Sequence, residues 1–544
     1  MGQPHGGEVD GMEATRAFER LTDSLRAVLR DGRVAALFLF FLLSHSVLDS
    51  PRADPDMFAR VAVGRLVERD GGVSHTDPFA YTPKLDRWVD HEWLSGVVFW
   101  NVARTSGDSG LLILALICMA GSLVFVAAAQ RKLAPTGAPV RTWLFACLLP
   151  LPWLWRSIVR SQVFTYLLLP VFLLAMADYR KRRDPRVLVP LPFLMLFWAN
   201  AHGGFVTGLG LLGLFALVAA FDGWKFAAPV WLAAAGCVAA TLITPYGIEY
   251  WRYLAGALTM QRAAITEWGP LVRTPLLAVW VALVVAVWIA GLVRSRFRFP
   301  PEMILLPSVA LLFAVRSGRL SAAFLMTVAV YGIGPVSRLI RSSDSSTRTS
   351  SESGKSTLPE SWRRAAAVCA MIALVPLSFP VARLASDPES RRLDYAAYPV
   401  GAIEWLRENR PTGNVLVGFA EGSYALWRLY PQFLISIDGR YEEVYPQETV
   451  DLVAAAVDPD SPDHESAFEQ VRPDYIVAKT SGARAVDPDG YGPEWRVVYV
   501  DGGFAVLEPE PGSESADSNP EAGDALPGPA SAPADVRYIW DPLF

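Results

Sequence analysis

Long apolar runs alternate along this chain with short polar segments rich in arginine, glycine or proline. Such runs are typical of membrane-spanning helices, because a helix needs about 20 mostly apolar residues to cross the hydrocarbon layer. The pattern predicts about eleven spans. They lie near residues 34–49, 109–130, 142–159, 162–178, 187–200, 203–221, 226–243, 275–293, 301–315, 320–337 and 365–382. We therefore predict an α-helical polytopic membrane protein with a transmembrane domain over residues 34–382.

The pattern changes after the last run. Residues 395–510 alternate between helical stretches and short strands such as "NVLVGF" and "DYIVAK", and they end in a hairpin with a turn at Asp501-Gly502-Gly503, which predicts a small α/β domain. Within it, "SIDGRYEE" places Asp438 and Arg440 just after a strand, either as a ligand site or as a tight turn with an ion pair. Residues 511–544 are predicted to form a disordered tail.

Composition agrees with the membrane assignment, since 52% of the 544 residues are hydrophobic and only 19% are charged. No basic stripe is interleaved with aromatic residues, so nucleic-acid binding is not expected. The four cysteines lie inside apolar runs at unrelated spacings, which is typical of small buried residues rather than disulfides or zinc ligands.

Arginine is concentrated in alternate connecting segments, and the positive-inside rule makes that side cytoplasmic. The N-terminal segment 1–33 and a flexible Ser/Thr-rich linker at 341–361 are then inside. The α/β domain lies outside, as does a large first outer loop at 50–108. We expect a multi-pass plasma-membrane protein whose functional loops face outward.

The first outer loop is too apolar for a simple connector. We predict two interfacial helices, near 55–70 and 91–104, joined by a turn-rich segment. Asp54, Pro55 and Asp56 fit a helix start, with Asp54 as N-cap and Asp56 in the first turn. The same two carboxylates could be catalytic. Asp90 could likewise cap the second helix, with His91 and Glu92 following it.

Other ionisable residues are expected at the outer ends of the spans, where unpaired charges are costly and tend to mark a site. Arg156 and Arg160 are four residues apart, which predicts one helix face. Interface anchoring is the alternative for any single arginine. The set comprises Arg156, Arg160, Arg316, Arg319, His91, Glu92, His202 and Glu267.

Acids and arginines at the mouth of a lipid-facing cavity suit transfer of a group from a lipid phosphate. An aspartate could take the proton of an acceptor hydroxyl that attacks the anomeric carbon of a sugar. Arginines, or a divalent ion held by Asp54 and Asp56, could stabilise the departing phosphate.

Several segments resemble a known superfamily. The N-in first span followed by a large acidic loop resembles the C-type glycosyltransferases, which include protein O-mannosyltransferases and lipid A aminoarabinose transferases. "DPDMFARVAVGRLVERDGG", "TDPFAYT", "WVDHEWLS", "RSQVFTYLLLP", "WANAHGGF", "TPYG" and "SIDGRYEEVYP" resemble bacterial membrane proteins often grouped with them.

The resemblance implies a polyprenyl-phosphate-linked sugar as donor, a glycan, lipid or protein of the cell envelope as acceptor, and the bacterial plasma membrane as location. It implies a catalytic acid at Asp54 or Asp56. The lysine-and-proline motif of many relatives is replaced here by Asp90-His91-Glu92, so the phosphate grip is expected from Arg156, Arg160, Arg316 or Arg319. No cofactor is certain, and a divalent Mg or Mn ion stays an option.

Two other functions fit the sequence. A non-enzymatic transporter or flippase of lipid-linked saccharides would place ionisable residues near mid-span and show related halves. No clear internal repeat is found, and the charges cluster at the outer ends. A membrane-anchored assembly factor would leave the first outer loop without a purpose.

Overall fold

The computed structural model describes residues 41–42, 44–45, 48, 52–135, 140–154, 159–259, 269–346, 393–480, 488–501 and 503–510. Several predicted segments lie outside this part of the chain. They are the N-terminal segment 1–33, most of the span near 34–49, residues 347–361 of the linker, the span near 365–382 and the tail 511–544.

Helices form the described chain up to residue 346. They are α1 (Pro55–Asp70), α2 (Trp93–Leu133), α3 (Val140–Leu148), α4 (Leu151–Leu154), α5 (Gln162–Arg182), α6 (Pro190–Ala201), α7 (Phe205–Ala219), α8 (Trp224–Thr241), α9 (Ile248–Thr259), α10 (Pro275–Arg294), α11 (Glu302–Arg316), α12 (Ser321–Tyr331) and α13 (Ile333–Ser346).

Within the described residues, five helices are long and apolar enough to cross a membrane. They contain α2, α5, α7, α8 and α10, and they match the spans predicted near 109–130, 162–178, 203–221, 226–243 and 275–293. A sixth is possible if the bent pair Gly318–Tyr331 and Ile333–Leu339, which turns by 59°, counts as one span. The chain therefore has several apolar membrane-type helices, and the count of eleven stays a prediction.

Helices α1 and α2 cross almost backbone to backbone. A Cβ atom on Gly64 would lie 2.0 Å from the carbonyl oxygen of Gly96, and one on Gly96 would lie 2.5 Å from that of Arg60. Only glycine at both positions allows this approach, because any larger side chain would push the helices apart. The crossing brings the first turns of α1 next to the segment that precedes α2.

The predicted second interfacial helix meets the next span at a sharp break. Helix α2 begins at Trp93 and continues through Leu133, but Gly107 has non-helical backbone angles, with φ of 56° and ψ of −150°. The helix predicted near 91–104 and the span predicted near 109–130 are thus two helical segments that meet at this glycine. Glycine tolerates the left-handed φ that the bend requires.

Helix α1 has the predicted bounds but not the predicted surroundings. Every residue from Met57 to Gly64 is buried, including Arg60. Phe58 packs edge-on against Tyr398 and Tyr424 of the C-terminal part of the chain, with ring centroids 4.9 and 5.1 Å away. Protein therefore covers the apolar residues of α1, so the expectation that an interfacial helix at 55–70 buries its apolar face in the membrane surface is wrong. Its sequence could not show this, because the covering residues are more than 330 positions away.

The α/β domain is present as predicted. Its helices are α14 (Val400–Asn409), α15 (Phe419–Leu429), α16 (Gln447–Val457) and α17 (His464–Val471), and its strands are β1 (Gly413–Val417), β2 (Phe433–Ile435), β3 (Tyr475–Lys479), β4 (Trp495–Val500) and β5 (Phe504–Pro509). The sheet order is β2-β1-β3-β5-β4. Strand β1 pairs in parallel with β2 and β3, whereas β5 pairs antiparallel with β3 and β4.

The first loop completes one edge of this sheet. The backbone N–H of Ile435 donates to the carbonyl of Phe79 at 3.0 Å, and that of Tyr81 donates to the carbonyl of Ile435 at 3.1 Å. Leu85 bonds in the same way to Val444 at 2.8 Å. Because these bonds cover the edge of β2, they fix the segment after β2 over the N-terminal end of α1.

Candidate active site

Asp54 and Asp56 open helix α1, and one arginine joins them. Asp54 is the N-cap, and its Oδ1 accepts from the backbone N–H of Asp56 at 3.0 Å. Arg160 places Nη2 2.5 Å from Asp56 Oδ2 and Nε 3.5 Å from Asp54 Oδ1. The Asp56 side chain is 34% exposed, against 8% for that of Asp54. The predicted cap is confirmed, and Asp56 is the more exposed of the two carboxylates.

The two aspartates fit an arginine better than a shared divalent ion. A metal ion bound by both carboxylates would need the position that the guanidinium of Arg160 takes between them. Among the described residues, no group of three or more His, Cys, Asp or Glu side chains has an arrangement that could hold a metal ion.

A second cluster surrounds the buried Arg60. Its guanidinium bonds to Asp90, lies 3.2 Å from Glu443 Oε2 and lies 3.8 Å from Glu92 Oε2. Two carboxylates from the segment before α2 and one from the α/β domain thus share this buried cation, and such pairing offsets the cost of burying its charge. Glu443 comes from the α/β domain, so that domain supplies part of the site.

His91 and Glu92 lie before helix α2 and not on it. Asp90 Oδ1 accepts from the backbone N–H of Glu92 at 3.0 Å, and this short turn directs both following side chains to one point. His91 Nε2 lies 3.5 Å from Glu92 Oε1, and His91 Nδ1 lies 3.1 Å from Glu443 Oε1. The predicted helix start at residue 91 is therefore two residues early, and the two side chains approach each other.

The ionisation of this cluster follows from its neighbours. Burial would raise the pKa of Glu92, but the nearby cations His91 and Arg60 lower it to about 2. Burial would lower the pKa of His91, but the carboxylates of Glu443 and Glu92 raise it to about 9. Glu92 is therefore an anion and His91 a cation at neutral pH.

His202 is in the opposite state. Its Nδ1 accepts from the backbone N–H of Gly204 at 2.9 Å and lies 2.7 Å from Thr165 Oγ1, which itself accepts from Trp198 Nε1. The bond from Gly204 leaves the ring proton on Nε2, which lies 3.6 Å from Glu92 Oε1. Burial lowers the pKa of His202 to about 3, so the ring is neutral.

The structure separates the predicted arginines. Arg160 lies in a bend before α5 and contacts both aspartates, whereas Arg156 lies outside the described residues. Arg319 is close enough to His202 to lower its pKa, and with the Gln162 amide turned to face it, Arg319 Nε donates to that oxygen at 2.8 Å. Arg316, in the last turn of α11, is exposed. Glu267 also lies outside the described residues.

Sequence reasoning missed Arg60, Glu443 and Tyr250. Arg60 interrupts an otherwise apolar stretch of α1, and a buried charge there is a signal that could have been used. Glu443 lies five residues after Asp438, in the same segment in which the sequence pattern had pointed to Asp438 and Arg440. Tyr250 is buried, and its ring centroid lies 6.2 Å from that of His91.

Asp438 and Arg440 are a structural pair. Arg440 donates from Nε and Nη2 to Asp438 at 2.8 and 2.7 Å and from Nη1 to Asp77 of the first loop at 2.6 Å. Its guanidinium also lies 4.8 Å from the ring centroid of Phe79 and 4.9 Å from that of Trp88. All three ionic side chains are buried, so of the two alternatives for this motif the tight ion-paired turn is the one observed.

An apolar groove of about 470 Å³ begins beside the cluster. Trp93, Phe197 and Ile243 line it, and Asn200 lies at its polar end. The Asn200 amide is held by Trp93 Nε1, which donates to Oδ1 at 2.9 Å, and by the carbonyls of Leu196 and Ile243. In the sequence, Trp93 directly follows Glu92, and Asn200 lies two residues before His202. The groove therefore offers an apolar surface adjoining the charged groups.

Comparison with known proteins gives only a distant structural similarity. No protein-family model matches the chain, and no curated protein matches it. Among solved structures, the apo oligosaccharyltransferase of Archaeoglobus fulgidus is similar at 13% identity and a TM-score of 0.49, covering 82% of this chain and 69% of that one. The same enzyme tethered to an acceptor peptide is similar at 14% identity and a TM-score of 0.45, covering 82% and 68%. At that identity and TM-score the likeness assigns neither a family nor an activity to this chain.

Proposed function

We propose that this protein is an integral-membrane glycosyltransferase that moves a sugar from a polyprenyl-phosphate donor to an envelope acceptor on the outer face. The observation that carries the proposal is the Asp54–Asp56–Arg160 group at the start of α1. The buried Asp54 caps the helix there. Asp56 is partly exposed, and its partner Arg160 could also bind an incoming anion.

The reaction we propose uses both members of the exposed pair. The donor phosphate binds Arg160, with Arg319 nearby, and this releases Asp56 from its ion pair. The carboxylate of Asp56 accepts the proton of the acceptor hydroxyl, whose oxygen forms a bond to the anomeric carbon. The bond from that carbon to the phosphate oxygen breaks, and the polyprenyl phosphate leaves with the electron pair beside Arg160.

The apolar groove supports a lipid-linked donor. Its lining is aromatic and aliphatic at Trp93, Phe197 and Ile243, and Ile243 is 63% exposed at its edge. An isoprenoid chain there would place its phosphate toward the charged side chains. The acceptor can be a glycan, a lipid or a protein.

The test compares cells that lack the protein with cells that carry the wild type or Asp56→Asn. Mass spectrometry of polyprenyl-phosphate sugars and envelope glycans should show the same loss of one glycan sugar in the deletion and in Asp56→Asn. The unused donor should accumulate in the outer leaflet, where periodate oxidises it in intact cells. Donor retained in the inner leaflet would instead indicate a transporter, and an unchanged glycan in Asp56→Asn would overturn the catalytic role.

A further inference from the structure

Glu92, His91 and His202 approach one another without forming hydrogen bonds. Glu92 Oε1 lies 3.5 Å from His91 Nε2 and 3.6 Å from His202 Nε2. Both distances are longer than a hydrogen bond, so two ring nitrogens face one carboxylate oxygen that they do not reach. We call the place where these three atoms meet the gap; the three side chains are 12–16% exposed, so it is not fully sealed from solvent.

The two rings are held from behind so that they point into this gap. Gly204 and Thr165 bond to His202 Nδ1, and Glu443 lies 3.1 Å from His91 Nδ1. Each imidazole therefore directs its Nε2–H toward Glu92. The donors are oriented before any ligand arrives, which lowers the entropic cost of binding one.

Tyr250 supplies an independent sign of a ligand. Its side chain is 1% exposed, and among the described residues its hydroxyl has no hydrogen-bond partner. Its ring centroid lies 6.2 Å from that of His91, which places Tyr250 beside this cluster, and burial raises the pKa of its hydroxyl. A buried hydroxyl left unbonded costs about 1–3 kcal/mol, so this one is suited to bond with a group that is not part of the chain.

The "HGG" sequence keeps the gap narrow and unobstructed. A Cβ atom on Gly203 would lie 3.2 Å from His91 Cδ2, and one on Gly204 would lie 2.2 Å from Thr165 Oγ1. Side chains at these positions would displace both the His91 ring and the Thr165 bond to His202. The glycine pair thus has a role in shaping this point and not only in making a turn.

We propose that Glu92, His91, His202 and Tyr250 form a subsite for a hydroxyl group of a pyranose sugar. The inference rests on the proposed function, which supplies a sugar as substrate. A carboxylate repels an anion and the His91 cation repels a cation, so the gap suits a neutral group that both donates and accepts. A sugar hydroxyl donates to Glu92 Oε1 and accepts from an imidazole N–H, while Tyr250 meets a neighbouring oxygen.

Binding of free sugars tests this subsite without any turnover. Saturation-transfer NMR on the full-length protein in nanodiscs would measure methyl mannoside, glucoside and galactoside, each titrated to tens of millimolar. We expect saturable binding of at least one glycoside to the wild type and at least tenfold weaker binding to Glu92→Gln. Glu465→Gln makes the same change at an exposed position of α17 and should bind like the wild type.

Tyr250→Phe is a second variant that tests the subsite even if Glu92→Gln fails to fold. It removes only the hydroxyl that lacks a described partner, so the melting temperature should not fall, and binding should weaken three- to tenfold. Wild-type protein that binds none of the glycosides, or Glu92→Gln and Tyr250→Phe variants that bind them like the wild type, would overturn the subsite. Farnesyl phosphate and farnesyl phosphate mannoside form two further arms. If Glu92→Gln weakens binding of farnesyl phosphate mannoside alone, the hydroxyl belongs to the donor. If it weakens only the binding of glycosides that are added after the farnesyl compound, the hydroxyl belongs to the acceptor.

These outcomes are independent of the proposed activity. If Asp56→Asn still transfers sugar while Glu92→Gln loses glycoside binding, the catalytic assignment fails and the subsite stands. If Asp56→Asn abolishes transfer while Glu92→Gln and Tyr250→Phe bind normally, the subsite fails and the catalytic assignment stands.

Discussion

Two clusters in this molecule have the same composition and opposite surroundings. Each consists of one arginine between two aspartates: Arg160 with Asp54 and Asp56, and Arg440 with Asp77 and Asp438. The side chain of Arg440 is fully buried, and its guanidinium contacts Asp77, Asp438 and two aromatic rings. The Asp56 side chain, in contrast, is one-third exposed.

The difference separates a structural pair from a site. At Arg440, hydrogen bonds and ring contacts use the donors that an incoming anion would need, so the cluster fastens the first loop to the α/β domain. At Arg160, the partly exposed Asp56 is the partner that a substrate phosphate would replace in the proposed reaction. Composition alone does not distinguish the two clusters, whereas exposure and the use of each donor do.

The largest effect is expected from Arg440→Ala. Removing the buried cation leaves Asp77 and Asp438 unpaired, which should destabilise the fold by about 3–5 kcal/mol. Sugar transfer should fall with it, because Glu443 is placed by the same segment. Thermal unfolding in detergent measures the change, with Arg472→Ala, at an exposed position, as control. An unchanged melting temperature would show that this cluster does not fasten the domain.

Asp56→Asn is expected to have the opposite signature. Transfer should fall by about 10²–10⁴, the usual contribution of a positioned base. Stability should change by less than about 1 kcal/mol, because a partly exposed ion pair contributes little. Transfer of labelled sugar in membranes and thermal unfolding would be measured on the same preparation, with Asp70→Asn at the exposed end of α1 as control.

Arg160→Lys should give an intermediate loss of transfer, on the order of 10²-fold for an interaction with the leaving phosphate. Lysine keeps the charge but cannot contact Asp54, Asp56 and a phosphate with one planar fork. Arg160→Ala should lose more. If Arg160→Lys lost as much transfer as Arg160→Ala, the geometry of the guanidinium, and not its charge alone, would carry its contribution to transfer. Full activity of Arg160→Lys would contradict a role that is specific to the guanidinium.

The stability contribution of His91 should depend on pH. Because its pKa is raised from 6.5 to about 9, the contribution is fully present below pH 6.5 and is lost as the pH rises through 9. The contribution should be about 1–3 kcal/mol. Melting temperatures of the wild type and His91→Gln should differ at pH 6 and converge above pH 9. A difference that persisted at pH 10 would contradict the charged state of His91.

The smallest effect is expected from Arg316→Ala. Arg316 is exposed, so both stability and transfer should stay within about 0.5 kcal/mol of the wild type. This variant is the matched control for Arg319→Ala, which should weaken transfer because Arg319 lies near His202. Equal effects of both variants would remove the distinction between these neighbouring arginines.

Local patterns predicted much of the fold. The caps of α1, the apolar helices and the strands of the α/β domain follow from signals within a few residues, such as Asp54-Pro55-Asp56 and the alternation in "WRVVYV". The burial of α1 could not be predicted in this way. It depends on residues far along the chain, such as Tyr398 and Tyr424.

The candidate site was predicted only in part. Asp54, Asp56, Arg160, His91, Glu92, His202 and Arg319 meet at one end of the helices, whereas Arg316 does not join them. Glu443 could not be assigned from the sequence because its contact with His91 spans more than 300 positions. The sequence left Asp438 and Arg440 open as a ligand site or as an ion-paired turn, and only their complete burial shows that they are structural.

The paired measurement on Asp56→Asn and Asp438→Asn tests the central claim most directly. Both variants change one aspartate beside one arginine, and transfer and melting temperature would be recorded for each. We expect Asp56→Asn to lose transfer with an unchanged melting temperature, and Asp438→Asn to lower the melting temperature by several degrees. An active Asp56→Asn variant, or a loss of stability equal to that of Asp438→Asn, would contradict the assignment of Asp56 to the active site.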